Sequence, residues 1–184
     1  MADELSSPGE AYTRYFSMVW RNLRRLGVPD SSVEDALQDV FLVVHQRWAD
    51  FRGDSTVKTW IFGILLRVAS RYRREAKRHG AHLELDASSA RLEQADAGNA
   101  PGPDPLELAS RREAARLVNG ILAQFEDEHR TLFVLAELEQ LSIREVAELT
   151  GVNASTCYKR LDAARRQFES AVERLRARDL WRLK

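Results

Sequence analysis

Four arginines in this sequence recur at the spacing of one face of a helix and could together bind a polyanion. They lie three or four residues apart: Arg67, Arg71, Arg74 and Arg78. The segment that contains them, residues 67–79, has a single acid, Glu75. Guanidinium groups aligned along one flank, with few acids to neutralise them, suit a row of phosphates.

A polar loop before this predicted helix is bracketed by two aromatic residues, Phe51 and Trp60. Aromatic rings beside arginines can stack on unpaired bases. Both rings could instead belong to the core. The core interpretation is the better one for Trp60, while Phe51 leaves both interpretations open.

Residues 141–161 predict two short helices joined by a glycine turn. Ser142 and Glu145 have the spacing of a capping box, and Gly151 can end the first helix in a left-handed conformation. Asn153 can cap a second helix that begins at Ala154. Such a pair is a helix-turn-helix, whose second helix can enter the major groove of DNA. A helical hairpin with no DNA contact has the same local pattern and stays open as an alternative.

A further helix is predicted after Ser31, because Glu34 lies at the capping-box distance from it. One face of this helix is apolar: Val33, Leu37, Val40, Val44 and Trp48. The other face is polar apart from one leucine: Asp35, Gln38, Asp39, Leu42 and Gln46. A solvated outer face is the simpler interpretation, and Leu42 among polar residues indicates a partner-binding surface as the alternative.

Composition limits the class of protein. Lys plus Arg and Asp plus Glu both number 28 in 184 residues, so the net charge is zero and the charge is segregated by segment. Cys157 is the single cysteine, which excludes an intrachain disulfide. The four histidines, His45, His79, His82 and His129, are scattered without metal-ligand spacing. No catalytic constellation, cofactor motif, signal peptide or membrane-spanning run is found, which predicts a soluble cytoplasmic protein without metal or cofactor.

The predicted fold class is all-α, with two small helical domains joined by a flexible acidic linker and a helix-turn-helix in the second domain. Prolines, acids and small residues without apolar periodicity mark the linker. The predicted boundaries are a first domain at 9–80, the linker at 81–105, a second domain at 106–172 and a helical tail at 173–184.

The run DALQDVFLVVHQRWADFRGDSTVKTWIFGILLRVASRYRRE resembles region 2 of bacterial sigma factors, especially the extracytoplasmic-function (ECF) class. Residues 125–168 resemble their region 4. The resemblance implies a protein that binds core RNA polymerase, directs it to promoters through −10 and −35 elements, and assists promoter melting. It implies contacts with the β′ clamp helices and the β flap of the polymerase, with promoter DNA and, in many members of the class, with an anti-sigma factor. It implies no enzymatic activity.

The resemblance also assigns residues to three predicted surfaces. The polymerase-binding residues are Asp35, Gln38, Asp39, Leu42 and Gln46. The residues of the −10 region are Phe51, Arg52, Lys58, Trp60, Arg67, Arg71 and Arg74. The residues of the −35 region are Ser155, Thr156, Tyr158, Lys159, Arg160, Asp162, Ala163 and Arg165. Arg160, Arg165 and the neighbouring Arg166 are expected to bind phosphate or to stabilise the fold.

The chain departs from the family pattern in several places. Arg67 stands where many relatives have asparagine, which favours phosphate contact over base capture. Phe125-Glu126 replaces a common Leu-Pro, which predicts a more continuous helix at the entry to the second domain. Cys157 stands where relatives usually have valine, and it is expected in the core.

Two rival functions remain, a helical transcription regulator without polymerase contact and a protein-binding helical adaptor. Neither of these functions needs the acidic helix face followed by the sequence FRGDS and a basic helix.

Overall fold

The computed structural model of the chain describes residues 5–79 and 105–182, and every regular element in these two ranges is helical. The chain divides into two compact units after Ala115. The prediction of an all-α fold with two helical units is therefore confirmed. The predicted linker at 81–105 lies outside the described residues except for Pro105, where a helix begins.

The first unit consists of three helices: α1 (Pro8–Arg25), α2 (Val33–Gln46) and α3 (Val57–Arg78). Each packs on the other two. Their apolar faces meet in a core of fully buried side chains that includes Val19, Leu23, Val40, Val44, Ile61 and Leu65. Burial of each such side chain contributes about 1.5–3 kcal/mol relative to exposure. The core therefore sets the rotation of α2 and α3, and with it the faces they present to solvent.

The helix starts of this unit agree with the sequence in one case and differ in another. Thr56 caps α3, since its hydroxyl accepts a hydrogen bond of 3.1 Å from the backbone N–H of Thr59. The predicted capping box of Ser31 and Glu34 is wrong. A 3₁₀ turn at Asp30–Ser32 comes first, and α2 begins directly after it, at Val33, without a side-chain cap. The backbone N–H of Ser32 bonds the carbonyl of Pro29, so the turn rather than a serine side chain starts the helix.

The second unit contains the end of α4 (Pro105–Leu122), then α5 (Asp127–Phe133), α6 (Ile143–Thr150) and α7 (Ala154–Arg182). A π-helical turn, Val134–Leu138, continues α5. Both α5 and α6 pack on α7. The rings of Phe133 and Phe168 stack with centroids 4.8 Å apart, which joins α5 to the middle of α7.

The prediction of a continuous helix through Phe125-Glu126 is wrong. Helix α4 ends at Leu122 and α5 begins at Asp127. Arg130, only 4% exposed, donates hydrogen bonds to the carbonyls of Leu122, Ala123 and Phe125, at 2.8, 3.2 and 2.9 Å. These carbonyls lie at and just beyond the end of α4, where the regular hydrogen bonds of the helix stop; the carbonyl of Leu122 also accepts a bond of 3.1 Å from the N–H of Phe125. The buried guanidinium therefore stabilises the corner between α4 and α5.

The described part of the predicted helical tail, 173–182, is helical and forms the last stretch of α7, which continues without interruption to Arg182. The second helix of the helix-turn-helix is thus the start of a 29-residue helix.

Candidate interaction surfaces

The predicted docking face on α2 is largely exposed. Asp35, Gln38, Leu42 and Gln46 face solvent, and Leu42 keeps 55% of its surface accessible. Tyr12 of α1 is 47% exposed and packs edge-on against Phe41, with ring centroids 4.7 Å apart. An apolar side chain of α2 thus projects among acids and amides, and an accessible aromatic ring of α1 packs on Phe41 of the same helix.

Asp39 differs from the other members of the predicted docking face, because it is half-buried and bonded to α3. Its Oδ2 forms an ion pair with the guanidinium of Arg71 and accepts a hydrogen bond of 2.7 Å from the Tyr72 hydroxyl. The Arg71 guanidinium also lies 5.2 Å from the centroid of the Tyr72 ring. One carboxylate therefore joins the predicted docking face to the predicted basic flank.

The environment of Tyr72 raises the pKa of its hydroxyl to about 12. Desolvation by burial is the largest cause, followed by the hydrogen bond to Asp39 and the negative charge of that carboxylate. Each of these disfavours the phenolate. The hydroxyl is therefore protonated at neutral pH and serves as a lasting donor to Asp39.

The basic flank of α3 is exposed along its length: Arg67, Arg71, Arg74 and Arg78. Arg74 bonds the carbonyl of Ser70 at 3.3 Å within its own helix, and Arg71 is held by Asp39. Arg73 turns away from this flank and donates a 2.7 Å hydrogen bond to the carbonyl of Leu26. The four predicted side chains thus share an accessible surface, and one of them has an acidic partner.

Phe51 and Trp60 lie together in an aromatic cluster that also contains Trp48. The ring centroids of Phe51 and Trp60 are 5.2 Å apart, and Trp48 lies 6.3 and 6.1 Å from them. All three rings are half-buried, so each packs on its neighbours and keeps an accessible part. Trp48 was predicted on the apolar face of α2, but it belongs to a 3₁₀ turn after that helix ends. Nearby, Arg52 is exposed, while the Lys58 ammonium lies 5.8 Å from the Phe62 ring centroid.

The helix-turn-helix is confirmed in its local detail. Ser142 and Glu145 form both hydrogen bonds of the capping box at the start of α6. Gly151 ends α6 with φ of +70°, in the left-handed region where a side chain would be strained. Asn153 Oδ1 accepts a hydrogen bond of 2.8 Å from the N–H of Thr156, which caps α7.

The first turns of α7 present one face to solvent and one to the core. Cys157, Leu161 and Ala164 are buried against the rest of the second unit. Among the predicted −35 residues, the exposed ones are Ser155, Tyr158, Lys159, Asp162 and Arg165. The half-buried ones are Thr156, Arg160 and Ala163.

Ion pairs hold both flanks of this helix. Arg160 lies 2.8 Å from a carboxylate oxygen of Glu128 in α5, and Arg165 lies 2.6 Å from Glu137 in the π-helical turn. Both arginines therefore have the structural contacts that were one of their two expected roles.

The outward face of α7 also carries an ion pair, between Asp162 and Arg166 one turn further on. Arg166 was expected, like Arg160 and Arg165, to bind phosphate or to stabilise the fold, and its four-residue distance from Asp162 is the usual helical pairing distance. Four contact residues were not predicted: the acidic partners Glu128 and Glu137, the corner residue Arg130 and Tyr72, the partner of Asp39. They have no local signal, since each contact is made between separate elements.

Within 5–79 and 105–182, no group of three or more histidine, cysteine or acidic side chains is placed to hold a metal ion. Among the same residues, no helix is both long and apolar enough to span a membrane.

The chain is similar in sequence to known proteins over most of its length. The family description "Sigma-70 region 2" matches residues 11–79, and "Sigma-70, region 4" matches residues 116–168. The ECF RNA polymerase sigma-E factor of Escherichia coli (strain K12) is 26% identical over 148 residues, which cover 80% of this chain and 78% of that protein. The RNA polymerase sigma factor NccH of Alcaligenes xylosoxydans xylosoxydans is 26% identical over 166 residues, 90% of this chain and 86% of that protein.

Two solved structures have a similar fold. CnrH, in complex with the cytosolic domain of CnrY, superposes with a TM-score of 0.61 at 21% identity, over 90% of this chain and 87% of that chain. The sigma factor RpoE of Bartonella quintana, in complex with the anti-sigma factor NepR, gives a TM-score of 0.60 at 17% identity. That match covers 89% of this chain and 98% of RpoE.

Proposed function

Because this chain belongs to the sigma-70 family, in its ECF class, we propose that it binds core RNA polymerase and directs it to promoters with −10 and −35 elements. It also assists promoter melting. The chain is a transcription initiation factor rather than an enzyme, so it supplies specificity to a reaction that the polymerase catalyses.

One observation carries this proposal: region 2 and region 4 both match, in that order, within a single chain. A regulator that used only a helix-turn-helix would not need region 2. A protein-binding adaptor would need neither the capped recognition helix nor the basic flank.

For the polymerase contact we propose the exposed face of α2 as the surface that binds the β′ clamp helices. Support comes from the exposure of Asp35, Leu42 and Gln46 on one face. An accessible leucine ringed by polar groups has the anatomy of an interface centre, with an apolar middle and a polar rim. Region 4 is the proposed contact for the β flap.

For the −10 element we propose two neighbouring parts of the first unit. The basic flank binds phosphates, through Arg67, Arg71 and Arg74. The aromatic cluster, with Arg52 and Lys58, offers the accessible parts of the Phe51 and Trp60 rings to unpaired bases. Their half-burial supports a shared role, because packing holds the rings rigid while leaving part of each ring accessible.

For the −35 element we propose the outward face of α7, centred on Ser155, Tyr158, Lys159 and Asp162. Side chains at the start of the second helix of such a motif reach base edges in the major groove. Ion pairs to Glu128 and Glu137 on either flank support this role, because they hold the helix in one orientation. Thr156 and Ala163 lie at the margins of this face, and Arg160 and Arg165 secure it.

A regulator that covers the polymerase-binding surface is a further proposed partner, of the anti-sigma type named in the structure of RpoE with NepR. We place the protein in the cytoplasm, where core polymerase is found.

Reconstitution with core RNA polymerase tests the function directly. Transcripts started from a genomic library should begin downstream of a common pair of short elements, and they should require both the chain and the core enzyme. A matched control is the chain with Tyr158→Ala and Lys159→Ala, which should bind core but lose the −35 preference. If the wild-type chain starts no transcripts above those of core alone, the proposal is wrong.

A further inference from the structure

Asp39 occupies the seam between two proposed surfaces, since it lies on α2 within the polymerase-binding set and bonds two residues of the DNA-binding helix. A single oxygen, Oδ2, pairs with Arg71 and accepts the hydrogen bond from Tyr72. The two surfaces are separated by more than thirty residues of sequence, yet they share this carboxylate.

The ion pair between Asp39 and Arg71 is accessible enough for another cation to take the place of Arg71. The side chain of Asp39 is 36% exposed and that of Arg71 is 49% exposed. Ion pairs with this exposure are weak, because water solvates both charges and competes with the contact. A cationic side chain of a docked partner could therefore replace Arg71 at the carboxylate without a change in the fold.

The Tyr72 hydroxyl is the part of the arrangement that does not need to move. It is protonated at neutral pH, and its oxygen lies 2.7 Å from Oδ2 of Asp39, which ties the carboxylate to α3. The carboxylate thus stays in place at the edge of the docking face whether or not Arg71 is bound.

Arg71 attracts a phosphate less strongly when it is paired with Asp39. A carboxylate in contact with the guanidinium cancels most of its field at short range, so the pair attracts a phosphate less than a free arginine does. The surrounding docking face, with Asp35 on the same side of α2, favours a basic partner.

We propose that Asp39 couples the two surfaces by exchanging its cation. In the free chain Asp39 holds Arg71. When core polymerase docks on α2, a basic side chain of the polymerase takes the carboxylate and Arg71 is released to bind a DNA phosphate. This inference rests on the function proposed for the two surfaces and adds the order in which they act.

The proposal can be tested from both sides. Polymerase and DNA each break the same contact between Asp39 and Arg71, so the binding of either one must strengthen the binding of the other. Loss of the Asp39 charge should strengthen DNA binding by the free chain. Loss of Arg71 should weaken DNA binding and yet strengthen polymerase binding, since the carboxylate no longer has an internal partner.

The first experiment measures binding of a single-stranded oligodeoxythymidine to the free full-length chain across a range of salt. Asp39→Asn keeps an acceptor for Tyr72 and frees Arg71. It should steepen the salt dependence by about 0.7 and tighten binding about fivefold at ~0.1 M salt, as expected for one added phosphate contact. Asp35→Asn is the matched control, because it removes the same charge from the same helix face without touching Arg71, and it should have a much smaller effect. In an Arg71→Ala background, Asp39→Asn should have no more effect than the control.

The second experiment measures affinity for core polymerase. Arg71→Ala should bind core more tightly than wild type, by about twofold to fivefold, the range of a weak exposed ion pair. Tyr72→Phe keeps the ion pair and should show no such gain. Circular dichroism and thermal melts confirm that each variant is folded.

The outcomes separate the inference from the proposal on which it rests. Equal effects of Asp39→Asn and Asp35→Asn on the free chain, or unchanged or weaker core binding by Arg71→Ala, would overturn the exchange. If Arg67→Ala, Arg71→Ala and Arg74→Ala all leave the salt dependence of promoter binding by the holoenzyme unchanged, the basic flank itself is not a DNA surface.

Discussion

Cys157 shows how one residue in a DNA-recognition helix can belong to the core. Its side chain is fully buried, and its Sγ lies 3.6 Å from the carbonyl oxygen of Val152. It shares the inward face of α7 with Leu161 and Ala164. The expectation of a buried, structural thiol is confirmed by this position.

We therefore expect Cys157 to react slowly with a thiol reagent in the native chain and rapidly after denaturation, because burial keeps the reagent from the sulfur. Cys157→Val should keep promoter activity, since valine is also a small apolar side chain of similar shape. Cys157→Asp should destabilise the second unit by burying an unpaired charge. Rapid labelling of the native chain, together with loss of activity in Cys157→Val, would contradict the structural role.

Tyr72 gives the first unit a specific dependence on alkaline pH. Its folded pKa of about 12 lies above the ordinary value of 10.0, so the folded state favours the protonated hydroxyl. The corresponding stabilisation is fully present below pH 10 and is lost as pH rises toward 12. We expect the free energy of unfolding of wild type to fall faster over this interval than that of Tyr72→Phe. An ultraviolet titration of tyrosinate that shows all four tyrosines ionising together near the ordinary value would contradict the shift.

At the scale of the element, helix α2 combines a buried face that holds the first unit together with an outward face available to a partner. Val40 and Val44 are fully buried, while Asp35 and Leu42 are exposed. Asp39 belongs to both functions, so a charge reversal at Asp39 would disturb packing on α3 as well as docking. A test of the docking face therefore has to leave Asp39 intact.

We expect Asp35→Arg combined with Leu42→Ala to weaken core polymerase binding by about 2–5 kcal/mol, because the change removes an apolar centre and places like charge against a basic partner. Helicity and thermal stability should stay close to wild type, since both side chains are exposed. Glu34→Arg, on the same helix, is the comparison for a general charge effect. Wild-type affinity in the double variant would remove this face from the polymerase contact.

At the scale of the whole molecule, the chain has a net charge of zero and consists of two units with separate cores. The first core is built from α1, α2 and α3, and the second centres on α5, α6 and α7. A basic flank and a recognition helix are carried by different units. Local charge, rather than the zero sum, decides where DNA is attracted.

Separate cores predict separate unfolding. Leu65→Ala in the first core and Leu161→Ala in the second should each destabilise one unit by about 2–5 kcal/mol, the usual cost of such a cavity. Calorimetry or hydrogen exchange should show a shift confined to the unit that carries the substitution, and the two effects should add in the double variant. A single cooperative transition shifted by either substitution would show that the units unfold together.

The amino-acid sequence alone determined the helix-turn-helix, because its signals are local. The capping box of Ser142 and Glu145, the left-handed Gly151 and the cap at Asn153 each depend on residues within three or four positions. The same holds for the exposure of Leu42 and the burial of Cys157, which follow from helical periodicity. Local signals gave wrong predictions in two places. A 3₁₀ turn precedes α2 instead of the predicted capping box, and a corner stabilised by Arg130 stands where a continuous helix was expected.

Only the tertiary structure decided which charged residues meet. Asp39 lies beside Arg71 and Tyr72, and Glu128 and Glu137 lie beside α7, because the buried faces of the helices fix their rotation and their position along one another. Periodicity predicts the face on which a side chain lies, but not the side chain it faces on a neighbouring helix. A contact between residues far apart in sequence depends on how the helices of one unit pack on each other, and side-chain volumes throughout the unit decide that packing.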